Sequence, residues 1–103
     1  MSTTNFQESC YRLLRQVPKG RVTTYQAIAN ALGTQAYRAV GSAMNKNPYA
    51  PEVPCHRVVN SSGKLGGFAH GPVKKTKMLQ KEGVTITNGK IENFNSVLFT
   101  KFT

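Results

Sequence analysis

The chain has 103 residues, 39% of them hydrophobic, and its fourteen Lys and Arg against four Glu give a formal net charge of +10. This length suits one domain with a modest core. No apolar run is long enough for a membrane helix, and the start "MSTTNFQESC" lacks the features of a signal peptide. We therefore expect a protein of the cytoplasm or nucleus that is not membrane-bound. The charge favours a polyanionic partner such as nucleic acid.

The first half of the chain predicts three helices. Apolar residues spaced by three and four predict an amphipathic helix over about 4–17. Thr23 or Thr24 can cap a second helix that ends at Gly33, and a third begins near Thr34 or Gln35. Two short helices joined by a turn that contains glycine predict a helix-turn-helix over about 23–46.

The second half predicts an irregular loop, a helix and a hairpin. Prolines mark an ordered loop over about 48–60, and turn-forming residues predict a wing over about 61–71. Pro and Gly bound a helix over about 72–83. Asn88-Gly89 predicts a two-residue hairpin in the segment 84–103, whose apolar tail packs back onto the body. The expected fold is mainly α with small β elements: a winged helix-turn-helix with a C-terminal β-hairpin, in one domain over 1–103 and monomeric.

The third predicted helix has two unlike faces. One face suits the core and carries Ala36, Val40, Ala43 and Met44. The other face carries one long cation among small residues: Arg38, Gly41, Ser42 and Asn45. Such a face allows close approach to another surface, which is either a neighbouring helix or DNA with Arg38 reaching into it.

Two cysteines are too few for a disulfide framework. Cys10 fits the apolar face of the first helix and is interpreted as a core residue. Cys55 lies between Pro54 and His56 in the segment "VPCHRVVN". A reactive thiol needs help to ionise, and His56 could provide it, although a buried structural Cys with a core His is the simpler alternative. Glu82 follows apolar residues on its predicted helix, so it either pairs with an imidazole, making a better base, or lies in solvent.

The order of several motifs carries a resemblance. "TYQAIA", "RAVGSAMNKNP", "PCHRVV" and "SSGKLGGFAHG" follow one another over about residues 5–85. This arrangement resembles the O6-alkylguanine-DNA alkyltransferase family. The resemblance implies a single-turnover DNA repair protein, a methylated-DNA–protein-cysteine methyltransferase. Such a protein binds the minor groove of double-stranded DNA, flips O6-alkylguanine out and moves the alkyl group irreversibly to its own cysteine, without a cofactor or a metal in this domain.

The resemblance also implies a role for individual residues. Cys55 is the acceptor, His56 the base acting through a water, and Glu82 orients the imidazole. Tyr25 donates to guanine N3, and Asn47 ties the second helix of the pair to the active-site turn. The implied DNA-binding residues are Thr24, Gln35, Ala36, Arg38, Gly41 and Ser42, with Arg38 filling the space left by the flipped nucleotide. The implied substrate pocket comprises Met44, Val58, Phe68 and Ala69, with the Val58 carbonyl accepting from the guanine amino group and the Ala69 amide approaching O6.

The chain departs from the family pattern in places. Many members carry a further N-terminal domain, and we expect this chain to lack it. Ala69, His70 and Phe68 stand where serine, glycine and tyrosine are common. A related branch of single-domain proteins replaces the acceptor cysteine and senses alkylated DNA without transfer. This sensor function remains the alternative, followed by a winged-helix transcription regulator, which the small face around Gly41 argues against, and a weaker cysteine hydrolase.

Overall fold

The computed structural model of the protein describes residues 4–68 and 70–103. Its described part is mainly helical with two small sheets. The helices are α1 (Asn5–Leu14), α2 (Tyr25–Ala31), α3 (Tyr37–Asn45), α4 (Pro72–Lys81) and α5 (Phe94–Val97). The strands are β1 (Thr23–Thr24), β2 (Val58–Val59), β3 (Ile86–Thr87) and β4 (Lys90–Ile91). In the described part, no helix has the length and apolar character needed to cross a membrane.

Helix α1 forms one wall of the core. Thr4 caps it through a capping box with Gln7, in which each side chain bonds the other residue's backbone N–H. Its buried face includes Cys10 and Tyr11, and the Tyr11 hydroxyl donates to the Ala43 carbonyl of α3 at 2.7 Å. The helix ends at Leu14, earlier than the predicted residue 17.

Helices α2 and α3 form the predicted helix-turn-helix. Gly33, with φ of +72°, follows α2, and its N–H donates to the Asn30 carbonyl while the Thr34 N–H donates to Ala29. This pair of bonds is a Schellman motif, which needs a left-handed residue at that point. Helix α3 begins at Tyr37 and not near Thr34 or Gln35. The reason is local: Ala36 has φ −79° and ψ 62°, an inverse γ-turn that delays the helix.

A short parallel sheet joins the helix-turn-helix to the cysteine motif. Strand β1 pairs with β2, with Thr23 opposite Val58 and Thr24 opposite Val59. Because Thr24 also caps α2, the start of the helix pair and the residues after the cysteine share one backbone ladder. The sequence pattern predicted only an irregular loop there, since a two-residue pairing between distant segments leaves no periodic signal.

The predicted hairpin and packed tail are both confirmed. Asn88 and Gly89 have φ of +52° and +76°, and they connect β3 to the antiparallel β4. The tail returns to the body where Val22 pairs with Leu98, and the Arg21 guanidinium donates to two tail carbonyls. Lys64 of the predicted wing forms an antiparallel bridge with Lys90 of β4, so the hairpin is connected to that segment by backbone pairing.

Candidate active site

Cys55 and His56 line a common cavity. They occupy a short 3₁₀ turn, Cys55–Arg57, between the proline-rich loop and β2. The cavity is about 290 Å³ and is lined by Ala50, Pro51, Cys55, His56, Phe68, His70, Lys74 and Met78. Cys55 is a free thiol with 7% exposure. The sulfur-bearing residue is thus largely shielded from bulk water yet borders an opening.

Glu82 pairs with His56 and does not lie in solvent. The carboxylate Oε2 is 3.0 Å from Nε2 of His56, and both side chains are largely buried. Because an ionised carboxylate only accepts, a neutral imidazole donates Nε2–H to it and keeps Nδ1 as its unprotonated nitrogen. An imidazole in this form can act as a base through Nδ1.

Arg57 is a neighbour of the His56–Glu82 pair that the sequence analysis missed. Its Nε and Nη2 donate to the two oxygens of Glu82 at 2.9 and 2.7 Å, and its Nη1 donates to the Val17 carbonyl at 2.7 Å. A two-pronged pair of this kind fixes the plane of the carboxylate. The signal in the sequence was the position of Arg57 directly after the Cys-His pair, because Glu82, once it lies beside His56, needs a cation to pair with.

The pKa values of His56 and Glu82 are both lowered, which favours a neutral imidazole beside a charged carboxylate. Burial lowers the pKa of His56, outweighing the bond and charge of Glu82, while the cations Arg57 and Lys75 lower it further. Burial alone would raise the pKa of Glu82, but hydrogen bonds from Arg57 and His56 and their charges leave it lowered. At neutral pH the pair therefore stands as imidazole and carboxylate.

Tyr25 and Phe68 lie on the wing side of the site. The Tyr25 hydroxyl donates to the Gly67 carbonyl at 3.3 Å, and burial, with the nearby Cys55, raises the pKa of this phenol. The phenol therefore keeps its proton and can donate. Gly66, with φ of +74°, packs against Tyr25 and Asn60, and a Cβ there would lie 2.9 Å from the Asn60 side-chain oxygen. Phe68 lines the cavity, while Ala69 lies outside the described residues.

Lys75 is the second residue that the sequence analysis missed. Its side chain is fully buried, and Nζ donates to the carbonyls of Val58, Leu65 and Gly67 at 2.6, 2.6 and 3.1 Å. Burial lowers its pKa to about 8, partly opposed by Cys55. One ammonium thus joins β2 to the predicted wing. The Val58 carbonyl, which the resemblance assigns to the guanine amino group, already accepts from it.

The loop before the cysteine is held from two sides. The Asn47 amide donates to the Val53 carbonyl at 2.8 Å and its oxygen accepts from the Tyr49 N–H at 2.9 Å. The Tyr49 ring packs edge-on against Tyr11 of α1, and its hydroxyl donates to Glu8. Asn47, just after α3, therefore connects the helix pair to the loop that leads to Cys55.

The outer face of α3, for which the small residues left a neighbouring helix or DNA as alternatives, is largely exposed. Arg38 is exposed and borders a second cavity with Tyr25, Tyr37 and Gly41. Ser42 on the same helix is also exposed. The exposed Gln35 and Ala36 precede the helix, so Ala36 does not belong to the core face on which the helical pattern placed it.

Two predicted site residues are placed differently from the rest. Thr24 is buried and its hydroxyl accepts from the Ala27 N–H at 2.9 Å, so its side chain acts as a helix cap. Met44 belongs to the same core cluster as Cys55 and is not among the described residues that line the cavity. Both placements agree with the sequence pattern, which put Met44 on the core face of its helix and offered Thr24 as a helix cap.

Cys10 is a core residue, as predicted. It is fully buried, and burial raises its pKa to about 11, although a backbone hydrogen bond acts in the opposite direction. A thiol in such a site stays protonated and unreactive. Of the two cysteines, Cys55 is the one that lines the cavity beside His56.

Fold and site together define a helix-turn-helix domain with a cysteine beside a buried histidine–glutamate pair. Residues 5–84 match the family model described as "6-O-methylguanine DNA methyltransferase, DNA binding domain". The chain belongs to this family. The match ends before the hairpin and tail, which lie outside the matched segment.

A curated protein sequence and a solved structure are both similar to this chain. A methylated-DNA–protein-cysteine methyltransferase of Methanosarcina barkeri is 48% identical over 80 residues, covering 77% of this chain but 51% of that protein. The chain thus spans about half the length of this curated relative. Mycobacterium tuberculosis OGT in complex with DNA has a TM-score of 0.76 at 41% identity, covering 79% of this chain and 51% of that one.

A third similarity spans both chains nearly end to end. S. pombe Atl1, solved with damaged DNA containing O6-carboxymethylguanine, has a TM-score of 0.81 at 31% identity. The match covers 96% of this chain and 98% of that one. The hairpin and tail therefore have counterparts in a solved relative, although the family model does not reach them.

We predict that Lys75→Met lowers the free energy of unfolding by about 2 kcal/mol or more. The substitution leaves three carbonyls without their donor, and an unpaired buried polar group costs roughly 1–3 kcal/mol. Urea denaturation followed by circular dichroism measures the change. Lys77→Met on the exposed side of α4 is the matched control, for which we expect a change within about 0.5 kcal/mol. If Lys75→Met and Lys77→Met changed the free energy of unfolding equally, Lys75 would not be the buried donor to the three carbonyls.

We also predict that His56 titrates below its ordinary value of 6.5, because burial disfavours its charged form. NMR titration of the ring protons measures this, with His70→Gln used to assign the signals. Glu82→Gln should lower the pKa of His56 further, since it removes the bond and charge that raise it. Folding lowers the pKa of both His56 and Glu82. The free energy of unfolding should therefore decrease as the pH falls below 6.5, where His56 takes up a proton in the unfolded chain, and again as the pH falls through the region in which Glu82 is protonated. A wild-type value at or above 6.5 would refute this interpretation.

Proposed function

We propose that this chain, as a single alkyltransferase domain over residues 1–103, repairs duplex DNA by moving the alkyl group of O6-alkylguanine to Cys55. The observation that carries the proposal is the cavity that Cys55 and His56 both line, together with the hydrogen bond between Glu82 and Nε2 of His56. The family membership and the names of the relatives support the same reaction.

The reaction is a displacement at the alkyl carbon. The thiol proton passes through a water to Nδ1 of His56, whose Nε2–H remains bonded to Glu82. The sulfur of Cys55 forms a bond to the alkyl carbon as the carbon–O6 bond breaks. The electron pair of the broken bond remains on O6 of the guanine. Tyr25 donates a hydrogen bond to N3 as the leaving base gains charge. The proton taken up by His56 is released to solvent, and the departing base takes one proton at N1, so the base ends as ordinary guanine. The thioether on Cys55 is stable, so each molecule reacts once.

DNA approaches over the outer face of α3. Gly41 and Ser42 allow the helix to lie close to the minor groove, and Arg38 enters the stack where the damaged nucleotide leaves it. A base must leave the duplex to reach the cavity that Cys55 lines. The net charge of +10 supplies attraction to phosphates that does not depend on sequence.

We expect a covalent product with DNA that contains O6-methylguanine. Incubation with such a duplex should raise the intact mass by about 14 Da, one methylene, because Cys55 takes the methyl and loses its proton. Peptide mapping should place the gain on Cys55. Cys55→Ser should abolish the gain, whereas Cys10→Ala, the matched control at the other thiol, should retain it.

A binding-only sensor of alkylated DNA is the second candidate. The near end-to-end similarity to S. pombe Atl1, whose structure holds damaged DNA, favours it. The presence of Cys55 on the cavity favours transfer. The mass experiment separates the two, because tight binding to the lesion duplex with an unchanged protein mass would overturn transfer and assign the chain to the sensors.

A further inference from the structure

We propose that Tyr37 is a second side chain of α3 that contacts DNA, and that its ring stacks on a nucleobase flanking the gap left by the flipped nucleotide. This inference rests on the proposed function and adds to it a residue that the sequence analysis did not assign. Arg38, the next residue, enters the gap itself. The partner of Tyr37 is a base of the same duplex, and no particular sequence is needed because every base has an aromatic face.

Tyr37 is exposed, and its side chain has no partner among the described residues. It is 41% exposed. The other three of the four tyrosines each donate their hydroxyl to an acceptor within the fold: Tyr11, Tyr25 and Tyr49. Over residues 4–68 and 70–103, the Tyr37 hydroxyl makes no hydrogen bond and the ring packs on no other aromatic ring. The fold therefore does not account for a large ring at this position.

The ring borders an open cavity on the outer face of α3. The cavity is about 440 Å³, and its lining includes Tyr25, Tyr37, Arg38 and Gly41. Gly41 lies one helical turn after Tyr37, where a longer side chain would lean back towards the ring. A Cβ added at Gly41 would meet no atom within 4 Å. The space one turn along from Tyr37 is therefore open, and a flat base has room to approach.

The turn before α3 holds the backbone that carries the ring. Ala36 has the inverse γ-turn conformation, and the Tyr37 N–H donates to the Gln35 carbonyl at 2.8 Å. Tyr37 is therefore the first residue of α3. Neighbouring helix positions point about 100° apart, so Tyr37 and Arg38 do not enter the same gap. The Tyr37 ring is left to contact the base beside the gap that Arg38 fills.

The composition of this cavity suits a base within DNA. Among its described lining residues, Arg38 is the one charged side chain, and no carboxylate is present. A side chain that enters the minor groove unstacks a base step, which costs free energy. A ring that covers the exposed base recovers part of that cost. Tyr37 therefore favours the state in which the damaged nucleotide has left the duplex.

The preference for the lesion measures this contribution in binding. Two duplexes of one sequence carry guanine or O6-methylguanine at a single position, and the protein carries Cys55→Ser so that the methyl group stays on the DNA. The ratio of the two affinities cancels general attraction to phosphate. We expect Tyr37→Ala to lower the ratio about tenfold, the scale of one base stacked on an aromatic ring. Tyr37→Phe keeps the ring and should keep the ratio.

Two results in this binding experiment would overturn the inference. An unchanged ratio in Tyr37→Ala would remove any role for the residue. An equal loss in Tyr37→Ala and Tyr37→Phe would assign the effect to the hydroxyl and not to the ring.

Stacking itself is read from fluorescence. 2-Aminopurine, whose emission falls when it stacks, replaces the base on the 5′ or the 3′ side of the lesion. At saturating protein, we expect one of the two placements to be brighter with Tyr37→Ala than with Tyr37→Phe, because the base there has lost its ring. A purely structural role for Tyr37 would not produce this difference. Equal emission of the two variants at both placements would contradict stacking.

Val73→Ala is the matched control for the loss of exposed apolar surface. Val73 is 67% exposed on α4 and borders a different cavity with Leu65. Its lesion preference should equal that of the parent protein. Exposed substitutions cost little stability, so Tyr37→Ala and Val73→Ala should unfold at nearly the same urea concentration as the parent. An equal fall of the ratio in both variants would overturn the inference.

The outcome is separate from that of the proposed function. Methyl transfer to Cys55 with a lesion preference that Tyr37→Ala does not change would leave the repair activity standing and remove the stacking role. A preference that depends on the Tyr37 ring in a protein that never gains mass would keep the stacking role and assign the chain to the sensors.

Discussion

The carboxylate of Glu82 accepts three hydrogen bonds, one from His56 and two from Arg57. Arg57 also bonds the Val17 carbonyl after α1, so one ion pair joins the end of α1, the Cys55–Arg57 turn and the end of α4. Burying two charges costs free energy that only good geometry and complete pairing offset. This pair meets both conditions, and in doing so it fixes the imidazole with one nitrogen committed and the other available.

The Cys55–Arg57 turn and the helix-turn-helix are connected at two places. Strand β2 follows Cys55 directly and pairs with β1, whose last residue, Thr24, caps α2. Asn47 makes a second connection from the end of α3 to the loop before the cysteine. The helix pair and the residue that carries the sulfur are therefore held in fixed positions relative to each other, as the proposed function requires.

Local signals were sufficient for much of the fold. Asn88-Gly89 predicted the hairpin because two left-handed residues define that turn by themselves, and Gly33 predicted the end of α2 for the same reason. The sequence raised the pairing of Glu82 with His56 as one of two alternatives, but only the packing of α4 decides between them. Lys75 escaped notice because three carbonyls from separate segments bury it, and no pattern within its own helix reports them.

The central claim is that the buried ion pair holds His56 neutral, with its proton on Nε2. Long-range ¹H–¹⁵N correlation of the imidazole rings at pH 7 observes this directly, because protonated and unprotonated ring nitrogens differ in ¹⁵N shift. The account predicts that His56 is protonated at Nε2 and bare at Nδ1. A proton on Nδ1, or a doubly protonated ring, would contradict it.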